Sequence, residues 1–221
     1  MTNVYLADTA GLNDPDVFQK LYRTLPAHRQ EKIDSIRFPK AKCQSLGAWL
    51  LLVHALREAE VTEENIRLSY GAFGKPYLEE HPNLHFSLSH SGTRVLCALS
   101  EKEVGCDAEK IKTANLDLAE RFFSREECAA ITSASAEERD GMFFRFWTLK
   151  ESFLKNIGRG LSLPLNAFSI RLSAKDAAVA QNVLPGQDFY FREFDLQDGY
   201  RYACCARQPE IADLKQIRLP E

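Results

Sequence analysis

An α+β fold is predicted by three features of the 221-residue sequence: helical stretches that open on recognisable caps, alternating apolar runs that read as strands, and an order of strand, helices and further strands that occurs twice. The first half begins with a short apolar strand, Val4 to Ala7. Asp14-Pro15 then marks a helix start, because Asp caps free N–H groups and Pro suits the first helical position. Val17, Phe18, Leu21, Tyr22 and Leu25 continue it at helical spacing. A second helix runs from Pro26 toward Ile36. After Pro39 a longer helix extends from Lys40 to Glu60, with Leu46, Trp49, Leu50, Val53 and Leu56 inward. Ile66 to Leu68 reads as a strand and YGAFGKP as a loop. In Leu84 to His90, Phe86 and Leu88 alternate with His85, Ser87 and Ser89. Ser91-Gly92 turns this strand into its hairpin partner, Arg94 to Leu99.

The second half follows the same order loosely. Val104 to Glu109 reads as a short strand. Ser124-Arg125-Glu126-Glu127 is a capping box opening a helix through Ile131, and Ser135-Ala136-Glu137-Glu138 a second, opening a long helix to Asn156. Gly158 stops that helix as a left-handed cap. Phe168 to Leu172, Phe189 to Phe194 and Tyr200 to Ala206 are the closing strands. No residue-level repeat is visible, and no low-complexity linker separates residues 1–103 from 104–221, which predicts two α+β halves packed tightly together.

Composition narrows the classes of function. The chain is 45% hydrophobic and 27% charged, with 28 Lys+Arg against 31 Asp+Glu, a net charge of -3. Bulk attraction to nucleic acid or to an anionic membrane is therefore not expected. The longest apolar stretch, Ala48 to Leu56, is interrupted by His54 and far too short to span a bilayer. MTNVYLADTA has neither a basic start nor a long apolar run, so no secretory signal is read there. The six cysteines, at 43, 97, 106, 128, 204 and 205, show no C-x-x-C pair and no zinc spacing with histidine. They are expected to be reduced, buried thiols of a cytoplasmic protein.

Four groups of residues could carry chemistry. Asp107 and Glu109, two apart in a strand, point to one face about 6–7 Å apart. Such a pair suits either a solvated edge or a divalent cation held between the carboxylates. In Trp147-Thr148-Leu149-Lys150-Glu151-Ser152-Phe153-Leu154-Lys155, Glu151 leans toward the apolar stripe and forms an i,i+4 pair with Lys155. Gly158-Arg159-Gly160 follows, a cation between glycines but no complete phosphate loop. Gly74-Lys75-Pro76 and Ser89-His90-Ser91 lie in a loop and at a strand end. Between His28 and Lys42, the cations Arg29, Lys32, Arg37, Lys40 and Lys42 outnumber Glu31 and Asp34, giving either a solvated helix face or an anion-binding patch. Three carboxylates, several cations and a histidine beside hydroxyls suit metal-assisted phosphoryl transfer, without naming a substrate.

The ordered segments GKPYL, HFSLSHSG, VGCDAEK, RFFSREE and FWTLKESFLKNIGRGLSLPL resemble the Sfp-type 4′-phosphopantetheinyl transferases across almost the whole chain. The paired motifs G-x-D-x-E and W-x-x-K-E-S-x-x-K carry the specificity of that resemblance. It implies a monomer of two pseudo-twofold α+β halves, each a small antiparallel-rich sheet packed with helices, with the active site at their interface. It also implies transfer of the phosphopantetheine arm of coenzyme A to a serine hydroxyl of an apo carrier protein of the fatty-acid, peptide-synthetase or polyketide type, releasing adenosine 3′,5′-bisphosphate.

By the same resemblance, Asp107, Glu109 and Glu151 hold Mg²⁺. Lys155 contacts phosphate and steadies the leaving group, and His90 bonds a pyrophosphate oxygen with Ser89 beside it. Lys75 and Pro76 line the nucleotide, and Glu151, directly or through metal-bound water, serves as base. Lys112, Leu116 and Arg121, toward Phe123, border the carrier surface. The chain departs from the family at two places. Cys43 stands where the family has an Arg for the 3′-phosphate, which leaves Lys42, with Lys32 and Arg37, as substitutes. Ser87 stands where Asn is common. The alternatives are a non-catalytic coenzyme A-binding protein and a Mg²⁺-dependent phosphodiesterase.

Overall fold

The structure, a computed structural model, describes residues 1–63, 66–172, 177–179, 184 and 186–220. Strand β1 (Thr2–Asp8) leads through a 3-10 turn at Ala10–Asn13 to α1 (Pro15–Tyr22), α2 (Ala27–Asp34) and α3 (Pro39–Glu58). The hairpin β2 (Leu68–Tyr70) and β3 (Pro76–Leu78) comes next, then a second hairpin, β4 (His85–Ser91) and β5 (Arg94–Ser100). The second half starts with β6 (Val104–Lys110), followed by α4 (Leu116–Phe122), α5 (Arg125–Ser133) and α6 (Ala136–Ile157). Strands β7 (Ile170–Leu172), β8 (Ala177–Val179), β9 (Tyr190–Phe194), β10 (Tyr200–Ala206) and β11 (Ile211–Ile217) close the chain.

The helix starts follow the chemistry of their first residues. Asp14 accepts the N–H groups of Asp16 and Val17, and Pro39 occupies the first turn of α3. Ser124 and Glu127 close a reciprocal capping box on α5. The expected second box is only half made. Ser135 accepts the Glu138 N–H, but the Glu138 carboxylate takes the Ser135 hydroxyl at 3.1 Å and not the backbone N–H. Gly158 ends α6 at φ 66°, as its position in the sequence predicts.

Two sheets carry the fold, and their strand orders match. In the first, β1-β5-β4 runs antiparallel under α3; in the second, β6-β10-β9 runs antiparallel under α6. Each sheet thus takes its first strand, then its last, then the last but one, with a long helix between first and last. Side-chain alternation sorts each strand between two layers. Tyr5, Ala7, Val95, Cys97 and Leu99 meet Leu46, Trp49, Leu52 and Leu56 of α3. Ala203, Cys205 and Phe191 meet Phe146, Leu149 and Phe153 of α6. The opposite faces pack on each other through Val4, Leu6, Leu96 and Ala98 from one sheet and Val104, Cys106, Ala108, Tyr202 and Cys204 from the other. Cys204 and Cys205 therefore enter different layers, and all six cysteines are unpaired.

Several boundaries depart from the sequence reading. Strand β11 was not anticipated: it adds parallel to β1 and completes the first sheet as β11-β1-β5-β4. Its apolar residues, Ile211, Leu214 and Ile217, recur at intervals of three, and no strict alternation marks a strand whose side chains are mostly half-buried or exposed. The strand expected at Ile66 to Leu68 begins at Leu68 instead, and the ends of the expected loop, Tyr70 and Pro76, pair with each other. The strand expected from Phe168 starts at Ile170. No helix among the described residues is long and apolar enough to cross a membrane.

The contact between α6 and β6 is unusually close. A Cβ at Gly105 would lie 2.0 Å from the Ser152 carbonyl oxygen and 2.3 Å from the Asn156 nitrogen. Behind α6, the fully buried Lys150 ammonium donates to the carbonyls of Leu165 and Phe168 at 2.8 and 2.6 Å and pairs with buried Glu127 at 2.9 Å. Glu127 also accepts the N–H groups of Ser124 and Ile170, so one ion pair ties α5, α6 and β7 together. Both contacts carry stability predictions. Gly105→Ala should lower the unfolding free energy by about 3 kcal/mol, because backbone atoms cannot yield as a flexible side chain would. Lys150→Met should lower it by about 3–5 kcal/mol by leaving the Glu127 carboxylate buried without its counter-charge. Urea unfolding of each variant, followed by circular dichroism, checks both.

Candidate active site

A cleft of about 330 Å³ opens where β4, β6 and α6 meet, lined by Leu88, Ser89, His90, Asp107, Glu109, Trp147, Glu151 and Lys155. Alternation on β6 sends Val104, Cys106 and Ala108 into the layer between the sheets, and so turns Asp107 and Glu109 toward α6. On α6, Trp147, Glu151 and Lys155 follow at four-residue steps and share the face that meets them. The solvated-edge reading of the Asp107–Glu109 pair is thereby excluded: Asp107 is buried and Glu109 half-buried.

Strands β4 and β6 are the facing edges of their sheets, and serines join them where no ladder does. The Ser87 hydroxyl accepts the Cys106 N–H at 3.0 Å, and the Ser91 hydroxyl accepts the Lys110 N–H at 3.1 Å. Ser89 donates to Asp107 Oδ1 at 2.7 Å, and Ser91 donates to Glu109 Oε2 at 2.6 Å. Lys155 Nζ lies 2.7 Å from Asp107 Oδ1 and 2.9 Å from Ser89 Oγ. Asp107 Oδ2 is buried and has no hydrogen-bond partner.

The charges in the cleft perturb one another. Burial raises the pKa of Glu151, with Asp107 and Glu109 adding to it and Lys155 opposing. For Glu109 burial again leads; the Ser91 hydrogen bond opposes it and Asp107 adds to it. Burial alone would lower the pKa of Lys155, but Asp107 and the other acidic groups around it outweigh burial and leave it raised. His90 keeps an exposed edge at the mouth of the cleft. Packing around its ring lowers its pKa, and the Lys155 ammonium lowers it further.

These features suit a hard divalent cation. The donors are carboxylates, two carboxyl groups are held above their ordinary pKa, and one buried oxygen lacks any partner. Among the described residues no three His, Cys, Asp or Glu side chains close round a single point. Mg²⁺ does not require such a cage, since it is commonly held by one or two carboxylates together with substrate phosphates and water.

A second pocket of about 240 Å³ adjoins the first and shares Leu88 and Lys155 with it. Its walls are the β2–β3 loop, with Phe73, Gly74, Lys75 and Pro76, and the turn at Gly158 and Gly160; Phe86 and Leu154 also line it. Of the residues singled out in the sequence, Ser89, His90, Asp107, Glu109, Glu151 and Lys155 come together in one cleft, and Lys75 and Pro76 border its extension. Lys32, Arg37 and Lys42 do not line either pocket. Lys32 and Arg37 are exposed, Arg37 lying over the Phe38 ring, and Lys42 is half-buried in the first turn of α3. Cys43 is buried, its thiol donating to the Leu12 carbonyl at 3.2 Å. Sequence reasoning did not give Ser91 its role as partner of Glu109, nor Trp147 and Leu88 theirs as walls of the cleft. The serine spacing at 87, 89 and 91, opposite Phe86 and Leu88, was the available signal.

Comparison with known proteins agrees with this geometry. Residues 103–205 match the 4′-phosphopantetheinyl transferase superfamily, and residues 13–102 match the 4′-phosphopantetheinyl transferase N-terminal family. The 4′-phosphopantetheinyl transferase Sfp of Bacillus subtilis is 35% identical over 76% of this chain and 75% of its own length. The 4′-phosphopantetheinyl transferase psf-1 of Bacillus pumilus is 36% identical over 93% of this chain and 90% of its own. A solved holo-[acyl-carrier-protein] synthase from Thermotoga maritima aligns over 49% of this chain and 64% of that one, with 19% identity and a TM-score of 0.41, too distant to carry weight. With two matched segments spanning both halves and relatives above 30% identity over most of its length, the chain belongs to the 4′-phosphopantetheinyl transferases, in their Sfp-like branch.

Proposed function

We propose that this enzyme moves the 4′-phosphopantetheine group of coenzyme A onto a serine hydroxyl of an apo carrier protein, releasing adenosine 3′,5′-bisphosphate. The observation that carries the reading is the gathering of Asp107, Glu109, Glu151 and Lys155 in one cleft between the halves, next to a pocket walled by the β2–β3 loop. The serine oxygen attacks the phosphorus bearing the pantetheine arm, and the bond to the bridging pyrophosphate oxygen breaks. Glu151, whose raised pKa makes it a better proton acceptor at neutral pH, takes the serine proton. Lys155 exchanges its contact with Asp107 for the pyrophosphate and steadies the negative charge that builds on the leaving group. His90, at the mouth, donates to a pyrophosphate oxygen, and the neighbouring Ser89 hydroxyl accepts from Lys155. Asp107, Glu109 and Glu151 are the residues that would hold Mg²⁺, which when bound neutralises pyrophosphate charge.

The nucleotide lies in the adjoining pocket, along Gly74 to Pro76. Lys42, with Lys32 and Arg37, is assigned the 3′-phosphate in place of Cys43; all three lie outside that pocket, so the assignment requires this phosphate to extend beyond it. The carrier docks across α4, where Leu116 and Leu118 are 36% and 38% exposed and Lys112 and Arg121 face solvent. Exposed apolar side chains flanked by cations suit a helix that is apolar on one side and acidic on the other. Both walls of the cleft come from one chain, which supports a monomer. The reduced cysteines fit a cytoplasmic enzyme.

Incubation with coenzyme A, Mg²⁺ and apo carriers, read by intact carrier mass, tests the reading. A gain of one phosphopantetheinyl group that disappears on chelation, or when the carrier serine becomes alanine, is expected. Coenzyme A binding with no mass gain on any fatty-acid or peptide-type carrier would instead favour a binding protein, and cleavage of coenzyme A without a modified carrier a phosphodiesterase. Asp107→Ala and Glu151→Ala should each abolish transfer while leaving the circular dichroism spectrum unchanged, and full activity in either would remove that residue from the metal set. Lys42→Ala should raise KM for coenzyme A more than for its 3′-dephospho form; equal losses would take Lys42 out of the phosphate site.

A further inference from the structure

Lys75 sits at the end of the β2–β3 loop, yet its ammonium is not turned into the pocket as a free charge. It donates to the Val104 carbonyl at the start of β6, at 3.1 Å, and to the Asn156 carbonyl in the last turn of α6, at 2.8 Å. Both acceptors belong to the second half. The stem of Lys75 runs over Gly158, where a Cβ would lie 3.1 Å from its Cδ, and the Phe73 carbonyl faces Gly160. Burial holds the Lys75 pKa down, to about 8, with Glu103 opposing, as expected for an ammonium taken out of water onto backbone acceptors. The tip around it is otherwise loosely held. Among the described residues Gly71 bonds within the loop, to Lys75 O and from Gly74 N, and Tyr70, Phe73 and Tyr77 are exposed.

We propose that Lys75 is a positioning residue, a clamp that fixes the β2–β3 loop of the first half onto the C-terminal end of α6 and thereby forms the pocket that receives the nucleotide. The carbonyls at the end of a helix have no partners within it and carry the negative end of its dipole, so a cation bound there is doubly favoured. With two of its three protons committed, the ammonium acts on the ligand through the loop it holds, and the wall of the pocket depends on it even when the pocket is empty. Only the kinetic arm of the test depends on the coenzyme A reading given above.

Lys75→Met keeps the aliphatic stem and removes both hydrogen bonds. In the ligand-free protein, amide hydrogen exchange should speed up at residues 71–76 and in the last turn of α6, while the core strands β1 and β10 keep their protection. KM for coenzyme A should rise about tenfold with kcat changed far less, the size expected for losing a charged hydrogen bond that holds the binding surface. Lys75→Gln, which retains donors for one carbonyl, should fall between wild type and Met in both measurements, and it serves if the Met variant does not fold. A raised KM with unchanged exchange in the free protein would make Lys75 a ligand contact and overturn the clamp. Faster exchange throughout the core would make it an ordinary stabilising residue, and no change in either would leave it without a role. Exchange requires no substrate, so its outcome stands even if no transfer is found.

Discussion

Where α6 crosses β6, backbone lies against backbone. The Ser152 carbonyl and the Asn156 N–H leave no room for a side chain at position 105, and that contact sets the distance between everything on the two elements. With the helix at this height, the residues two and four places further along β6, Asp107 and Glu109, stand beside Glu151 and Lys155. A side chain at 105 would lift the helix and widen the cleft for all four at once. The glycine of the G-x-D-x-E motif is thus as much part of the site as its carboxylates, although it touches no substrate.

That placement concentrates negative charge, and the surroundings show how it is contained. Three carboxylates share the cleft with one ammonium. Burial, with the neighbouring carboxylates adding to it, raises the pKa of Glu109 and Glu151, and the acidic groups around Lys155 raise its pKa against the effect of burial. The hydroxyls of Ser89 and Ser91 fix one oxygen each of Asp107 and Glu109. Serine can do this and also satisfy the β6 backbone, because a hydroxyl both donates and accepts. Ser91 does both at once, to Glu109 and from Lys110 N–H. The seam between the sheets and the orientation of the acidic groups are therefore one set of hydrogen bonds, which explains why the cleft lies at the junction of the halves and not within either.

Much of this was legible in the sequence, because the site is built from local rules. Period-two alternation put Asp107 and Glu109 on one face, and four-residue spacing put Glu151 with Lys155. Caps at Asp14, Ser124 and Gly158 fixed helix ends within a residue or two. What stayed hidden depends on contacts between distant segments. Strand β11 forms because β1 offers an open edge, and its apolar spacing of three could not announce that. The buried Lys150–Glu127 pair joins two helices, and neither the capping box that holds Glu127 nor the motif that holds Lys150 names the other as its partner. The sequence places Lys75 in a loop and, by resemblance, along the nucleotide, but not on α6 and β6, because its two acceptors are backbone carbonyls and a carbonyl leaves no trace in a sequence.

The two lysines of the W-x-x-K-E-S-x-x-K segment show how one helix separates holding from reacting. Lys150 is fully enclosed, with one carboxylate, two carbonyls and the face of Phe168 at 4.2 Å arranged around its charge. Every proton it offers is used, and leaving would strand Glu127 in a dry interior, so that lysine is fixed. Lys155 has a carboxylate and a hydroxyl as partners, and 31% of its side chain remains accessible at the edge of the cleft. Water and anions can reach its ammonium there, whereas Asp107 beneath it is only 6% exposed and stays enclosed. An enclosed charge behind the helix and an accessible one in front of it, five residues apart, let α6 keep its place on β6 while presenting an ammonium to the cleft.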